Sequence, residues 1–395
     1  MKKMKNTPGV IVIGDHVQSL GIIRSLSRRG IPVHLLHDKH LCISRFSRYT
    51  KQFIKTPKPS DESRFVKFMI GLAKKGRVEG WILMPTNDAA VYTLSRHKEI
   101  LEGYYRVSTP CWDVVKYAYN KKLTYQLAEK IGIPIPETFY PENVEELHEI
   151  LSDICFPVII KPAIVDRFYK KTKTKVFKAN TKEELVQAYI KASRVIDPSE
   201  IMVQEVIPGS PDNLYSFCSF FKNGKIMGMC IGRRSRQRPM DFGSASTFVE
   251  SVHVPELIDL GTNLLKTMNY YGLSEIEFKK DPRDSSKFKL LEVNARTWLW
   301  HSLAIHCGVD FPYLLYKDMN GEEITPVMSF RENVKFIHIY TDLGVVIKEV
   351  LKGKMRLKDY FVSLNGEKEF AVFSLNDPLP FIAETLMLLY LWKTR

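Results

Sequence analysis

The stretch that most constrains this chain is LLEVNAR, residues 290–296, together with SEIEF at 274–278. Both read as strands, and both set glutamates among apolar residues. An ionised carboxylate buried without a partner is costly, so Glu277 and Glu292 call for a compensating cation. Period-two alternation puts Glu275 and Glu277 on one face of the first run, and Leu290, Glu292 and Asn294 on one face of the second. If KDPRDSSK (280–287) turns the chain so that Glu277 lies opposite Glu292, their Cβ atoms sit roughly 4.5–5.5 Å apart, which is repulsive unless a cation lies between them. Two carboxylates and an amide oxygen are hard ligands that suit Mg2+. A different register, with each glutamate paired to a surface lysine, is the alternative, and spacing alone does not separate the two.

The rest of the chain narrows the setting. At 395 residues it has room for two to three domains. Its 45% apolar and 26% charged content is that of an ordinary globular protein. A net charge of +14 favours an anionic partner without choosing among nucleotide, nucleic acid, acidic substrate or membrane surface. Cys42, Cys111, Cys155, Cys218, Cys230 and Cys307 are scattered singly with no CxxC pair, so packed, reduced thiols are expected rather than disulfides or zinc ligands. The basic start, MKKMKNTPGV, lacks a long apolar run, so a cytoplasmic location is the expectation. LPFIAETLMLLYLWKTR (379–395) is apolar, too short to span a membrane, and interrupted by Glu384; a packed terminal helix is expected, with a peripheral membrane or oligomer contact as the lesser reading.

GVIVIG (9–14), a helix-compatible run to Arg29, and IPVHLLH (31–37) form a βαβ unit, which implies a parallel sheet. WILMPTNDAAVYTLSRH (81–97) repeats the pattern. Loops at the carboxyl ends of such strands carry ligand sites, which makes Asp15 and Asp88 candidate substrate residues, with helix caps as the alternative. The segment GDHVQSLG after the first strand is not GxGxxG, so a nicotinamide oxidoreductase is disfavoured. Further on, NKKLTYQLAEKIG (120–132) reads as a helix, and CFPVIIKPA (155–163) and IMVQEVIPGS (201–210) as strands. LYSFCSFFKNGKIMGMCIGRR (214–234) reads as a hairpin turning at Asn223-Gly224. The predicted class is α/β followed by α+β.

Two separated lysines (Lys121, Lys161), a polar strand end (Gln204, Glu205) and the two-carboxylate hairpin, in this order, resemble the ATP-grasp superfamily of carboxylate–amine ligases. The most specific element is IEFKKDPRDSSKFKLLEVNAR, which is similar to the family's metal-binding hairpin. SRRGIPVHLL, LMPTNDAA, NKKLTYQLAEKIGIPIPET, EVNARTWLWHSLAIHCGVDFP and FSLNDPLP look closest to a ligase group of that superfamily linked to cell-surface polysaccharide pathways. The resemblance implies an ATP-grasp fold behind a Rossmann-like, pre-ATP-grasp parallel-sheet domain. It divides the chain into an N-terminal domain (1–110), a linker helix and lid (111–200), a large subdomain (201–325) and a C-terminal extension (326–395).

It also implies roles. Lys121 and Lys161 contact ATP phosphates; Gln204, Glu205, Val206 and Ile207 form the adenine hinge; Asp212 or Asn213 takes the ribose. Glu277, Glu292 and Asn294 hold Mg2+, and Arg296 steadies the transferring phosphoryl group. Arg233 and Arg238 lie where relatives bring arginines to the substrate, a solvated basic loop being the alternative. Many relatives cover the phosphates with a glycine-rich loop; here DRFYKKTKTKVFK supplies lysines, with Lys175 the one expected to reach ATP. His301 and His306 read as packing residues. The expected activity joins a small carboxylic acid to an amine with ATP hydrolysed to ADP and phosphate. The rival is a non-catalytic protein of the same fold using its basic surface on an anionic glycan or membrane; nucleic acid is disfavoured because no recognition module appears.

Overall fold

The computed structural model describes residues 8–243 and 245–394. The basic run at 1–7 lies outside them. Three sheets organise the described residues. Gln52–Lys55, Val33–His37, Val10–Ile13, Ile82–Pro85 and Arg106–Val107 form, in that order, an all-parallel sheet. Val10–Ile13 and Ile82–Pro85 are buried along their whole length, as continuous apolar runs covered on both faces must be. Helices Val17–Ser27 and Asp88–Arg96 follow two of these strands. Asn87, rather than Asp88, caps the second, its side chain accepting from the Ala90 amide at 2.9 Å.

Thr138–Phe139, Ile201–Glu205, Val158–Pro162 and Phe177–Ala179 make an antiparallel sheet. It is backed by helix Lys182–Ser193, whose Leu185, Tyr189 and Ala192 are buried. The lysine-rich segment expected as a lid loop begins instead as helix Val165–Thr172, closed by Lys173 in the left-handed region (φ 59°). Its Phe168 is fully buried, which a sequence count dominated by lysines does not reveal.

The third sheet runs Asp284–Asn294, Gly272–Asp281, Leu214–Lys222, Lys225–Arg238, Ala245–Ser251, Lys335–Ile337 and Lys368–Phe370. Asn223 and Gly224, both with positive φ, close the hairpin between Lys222 and Lys225, as read from the sequence. The C-terminal segment supplies the last two strands and is stapled to residues that flank the parallel sheet. Asp377, fully buried, accepts from Arg24 Nε at 2.9 Å and Ser47 Oγ at 2.6 Å, while Arg24 Nη2 donates to the Val372 carbonyl at 2.8 Å. The terminal apolar run folds as two short helices, Leu379–Leu386 and Leu388–Thr394. Among the described residues no helix is long and apolar enough to cross a membrane. All six cysteines are free; four are buried, while Cys111 and Cys155 are exposed.

Candidate active site

The hairpin Gly272–Asp281/Asp284–Asn294 pairs Glu277 with Glu292 and Glu275 with Asn294 across one face. A two-residue connection, Pro282-Arg283, tightens the turn relative to the eight residues expected, and the register shifts between Glu277 and Phe278. The extra residue at that irregularity is Leu291, and its carbonyl accepts from Tyr125 Oη at 2.6 Å. Asn294 Nδ2 donates to Glu275 at 3.2 Å, and Trp300 Nε1 donates to the other oxygen of Glu275 at 3.2 Å.

Three cations answer these carboxylates. Lys121, first residue of helix Lys121–Lys130, donates to Glu292. Arg234 lies 2.9 Å from Glu277 and 3.9 Å from Glu275, itself almost fully enclosed. Arg296 donates through Nη2 to Asn294 Oδ1 at 3.1 Å and grips Asp88 with two bonds, 2.6 and 3.2 Å. That grip joins two candidates 208 positions apart, one after a strand of the parallel sheet and one after a strand of the seven-stranded sheet. Burial opposes ionisation of Glu292, but Lys121, Lys175 and Lys161 hold its carboxyl well below the usual range. Burial, with the Glu277 charge beside it, pushes Glu275 the other way, up to about 7.

Lys161 points from the four-stranded sheet into the same region, donating to Tyr125 Oη at 2.6 Å and Gln204 Oε1 at 2.9 Å; burial lowers its pKa. Tyr125 thus links the Gly272–Asp281/Asp284–Asn294 hairpin to the four-stranded sheet. Among the described residues no group of three His, Cys, Asp or Glu side chains forms a ready-made metal cage. Three carboxylates and the Asn294 amide line the cleft; Glu275 accepts from Asn294 and Trp300, which leaves Glu277, Glu292 and the amide oxygen as a set that fits Mg2+, because that ion keeps water and phosphate oxygens in its shell. Glu292 has 33% of its side-chain surface accessible from the cleft.

Three connected clefts meet here. One of about 450 Å3 is lined by Lys121, Glu275, Glu277, Glu292, Asn294 and Arg296. One of about 500 Å3 lies between the four-stranded and seven-stranded sheets and is lined by Lys161, Gln204 to Gly209 and Lys279. One of about 700 Å3 opens toward the parallel sheet, with Asp15, Asn87 and Arg238 in its wall. Lys175 lines all three.

Several candidates are placed differently from the expectation. Arg233 points to the other side of its strand and pairs with Glu250 at 2.6 Å; its neighbour Arg234 faces the carboxylates. Alternation decides between adjacent arginines, and the register of a long irregular strand is not visible in GRRSRQR. The Gln204 side chain is spent on Lys161 and on Thr138 Oγ1 at 2.7 Å. The Glu205 carboxylate is held by Lys289 and Arg283, its amide donates to the Glu137 carbonyl at 2.9 Å, and the Val206 amide donates to Pro157 at 3.1 Å. Ile207 lines the 500 Å3 cleft, its carbonyl accepting from Lys279 at 2.8 Å. Asp212 and Asn213 are not among the residues lining that cleft; Asn213 packs against Gly209, where a Cβ would lie 2.1 Å from its Nδ2. Asp15 accepts from the Ser44 amide at 3.3 Å. His301 is a packing residue, buried with Nε2 2.8 Å from the Gln18 carbonyl. Glu275 and Arg234 are the site residues missed by sequence reasoning; alternation signalled the first, since it shares the face of Glu277.

Solved structures share this arrangement of sheets. The N5-carboxyaminoimidazole synthetase of Staphylococcus aureus, complexed with ADP, superposes with a TM-score of 0.67 at 13% identity, covering 89% of this chain and 88% of that one. The biotin carboxylase domain of the Hydrogenobacter thermophilus 2-oxoglutarate carboxylase, complexed with MgADP, gives 0.65 at 17%, covering 82% and 73%. The chain has the ATP-grasp fold. By sequence it is 23% identical to the D-aspartate ligase of Enterococcus faecium over 298 residues, which is 72% of this chain and 70% of the relative. It is 24% identical to the D-alanine–D-alanine ligase of Pseudomonas entomophila over 222 residues, 50% of this chain and 62% of that one. No family model matches the chain.

Proposed function

We propose that this protein is an ATP-dependent carboxylate–amine ligase. The observation that carries the reading is the pairing of Glu277 with Glu292 on a face that also holds Asn294, with Lys121 and Arg296 beside it, at the mouth of a cleft between two sheets. The named activities of its ligase relatives agree with it. Lys121, Lys161 and Lys175 supply the charge that binds the triphosphate. The strand end through Ile207 receives the adenine by backbone contacts. Residues 1–110, 111–200, 201–325 and 326–395 are taken as the working units.

Glu277, Glu292 and Asn294 would hold Mg2+, which when bound neutralises phosphate charge and orients the γ-phosphate. Lys121 and Arg234, which pair with Glu292 and Glu277, are then free to turn toward phosphate oxygens. Arg296, fixed by Asp88, steadies the transferring group. A substrate carboxylate held near Arg238 in the 700 Å3 cleft attacks the γ-phosphorus to give an acyl phosphate and ADP. An amine adds to that carbonyl and expels phosphate, leaving an amide. Positioning and charge suffice for both steps, so a protein nucleophile is not required. A role in cell-surface polysaccharide synthesis rests on the sequence motifs alone, and ATP as substrate fits a cytoplasmic reaction.

The test is a screen of acid and amine pairs for ADP release, followed by Glu292→Gln. The variant is expected to lose both acid-dependent ADP release and protection against heating by ATP with Mg2+; retention of both defeats the metal assignment.

A further inference from the structure

The C-terminal segment carries an exposed apolar surface whose side chains line none of the three clefts of the site. Of the eighteen large apolar side chains exposed among the described residues, twelve lie between Leu343 and Leu389. They follow helical periodicity. Helix Ile339–Leu351 buries Val345 and Val346 and turns Leu343, Ile347 and Leu351 outward, the last 82% exposed. Across Leu379–Leu386 and Leu388–Thr394, Ile382, Leu386 and Leu389 repeat the stripe. The two elements lie side by side. Tyr340 stacks on Phe381 at 5.3 Å and meets Thr385 at 2.6 Å, and a groove of about 560 Å3 runs between them.

Charge on this surface is predominantly basic, with exposed Asp241 at the groove and Asp359 paired to Arg356 as the acidic exceptions. The acidic residues of helix Ile339–Leu351 are both buried, Asp342 on Arg236 at 2.8 Å and Glu349 on Lys352 at 3.0 Å. Lys348 and Lys352 line the groove, and Lys354 and Lys358 follow, all exposed. We propose that this face docks the protein on a membrane surface rich in anionic lipid. The aliphatic stripes enter the headgroup boundary, and the lysines meet phosphate. A second copy of the chain is a poorer occupant, since a two-fold contact would set one row of lysines against the other. The terminal run 379–395 is only part of this face; helix Ile339–Leu351 contributes as much.

The experiment is sedimentation of the full chain with vesicles of phosphatidylcholine, alone and mixed with phosphatidylglycerol. The protein is expected to pellet with the mixture, to do so less as salt is raised, and to stay in solution with phosphatidylcholine alone. Ile347→Glu with Leu351→Glu is expected to abolish pelleting with an unchanged thermal midpoint, because both side chains are already exposed; Lys348→Gln with Lys354→Gln should weaken it. Absence of pelleting, equal pelleting by the Ile347/Leu351 variant, or a concentration-dependent dimer that this variant dissolves overturns the proposal.

Discussion

Replacing Arg234 with methionine isolates the electrostatic problem at the centre of the site. The substitution keeps most of the apolar stem and removes the guanidinium 2.9 Å from Glu277 and 3.9 Å from Glu275. Taking one partner out of a buried, hydrogen-bonded ion pair costs about 3–5 kcal/mol, because the remaining charge stays desolvated. Glu275 already has its carboxyl pushed up to about 7 by burial and by Glu277, with Arg234 in place. Without that cation it rises further. An acid whose folded pKa exceeds its unfolded value of about 4.3 stabilises the fold below the unfolded pKa, and this contribution is lost as pH rises through the folded value. Arg234→Met is therefore expected to be far more destabilised at pH 8 than at pH 5. Urea transitions of both proteins at the two pH values measure it, and Glu275→Gln added to Arg234→Met is expected to recover much of the loss at pH 8. A loss below about 1 kcal/mol, within reach of an ordinary surface change, or one independent of pH, refutes the assignment of Arg234 as counter-ion.

Asp377→Asn is expected to lower stability by about 3–5 kcal/mol, because it strands Arg24 beneath the C-terminal segment; the thermal midpoint and proteolysis after Val372 report it. His301, which burial pushes down to about 4, stays neutral in the fold while the unfolded chain takes a proton near 6.5. Its contribution, about 3 kcal/mol, is present above the unfolded pKa and lost as pH falls through the folded one. His301→Gln, which keeps a donor toward the Gln18 carbonyl, is expected to flatten the loss of stability between pH 6.5 and 4, and an unaltered acid limb counts against a neutral buried His301.

Local order set much of this protein, and the sequence carried it. Alternation within SEIEF and LLEVNAR is a property of each strand alone, so the shared face of Glu277, Glu292 and Asn294 was legible once the two runs were read as a hairpin. The βαβ repeats and the Asn223-Gly224 turn followed from apolar runs and backbone preference in the same way. Tertiary structure decided whatever depended on register or on distant partners. One residue of phase sent Arg233 to Glu250 and Arg234 to the carboxylates. Buried Phe168 turned a lysine-rich loop into a helix. Asp88 met Arg296, and Arg24 met Asp377, because packing closed separations of 208 and 353 residues. Alternation is short-ranged and survives in the sequence. The choice of which charge answers which is made only when desolvation brings the partners together.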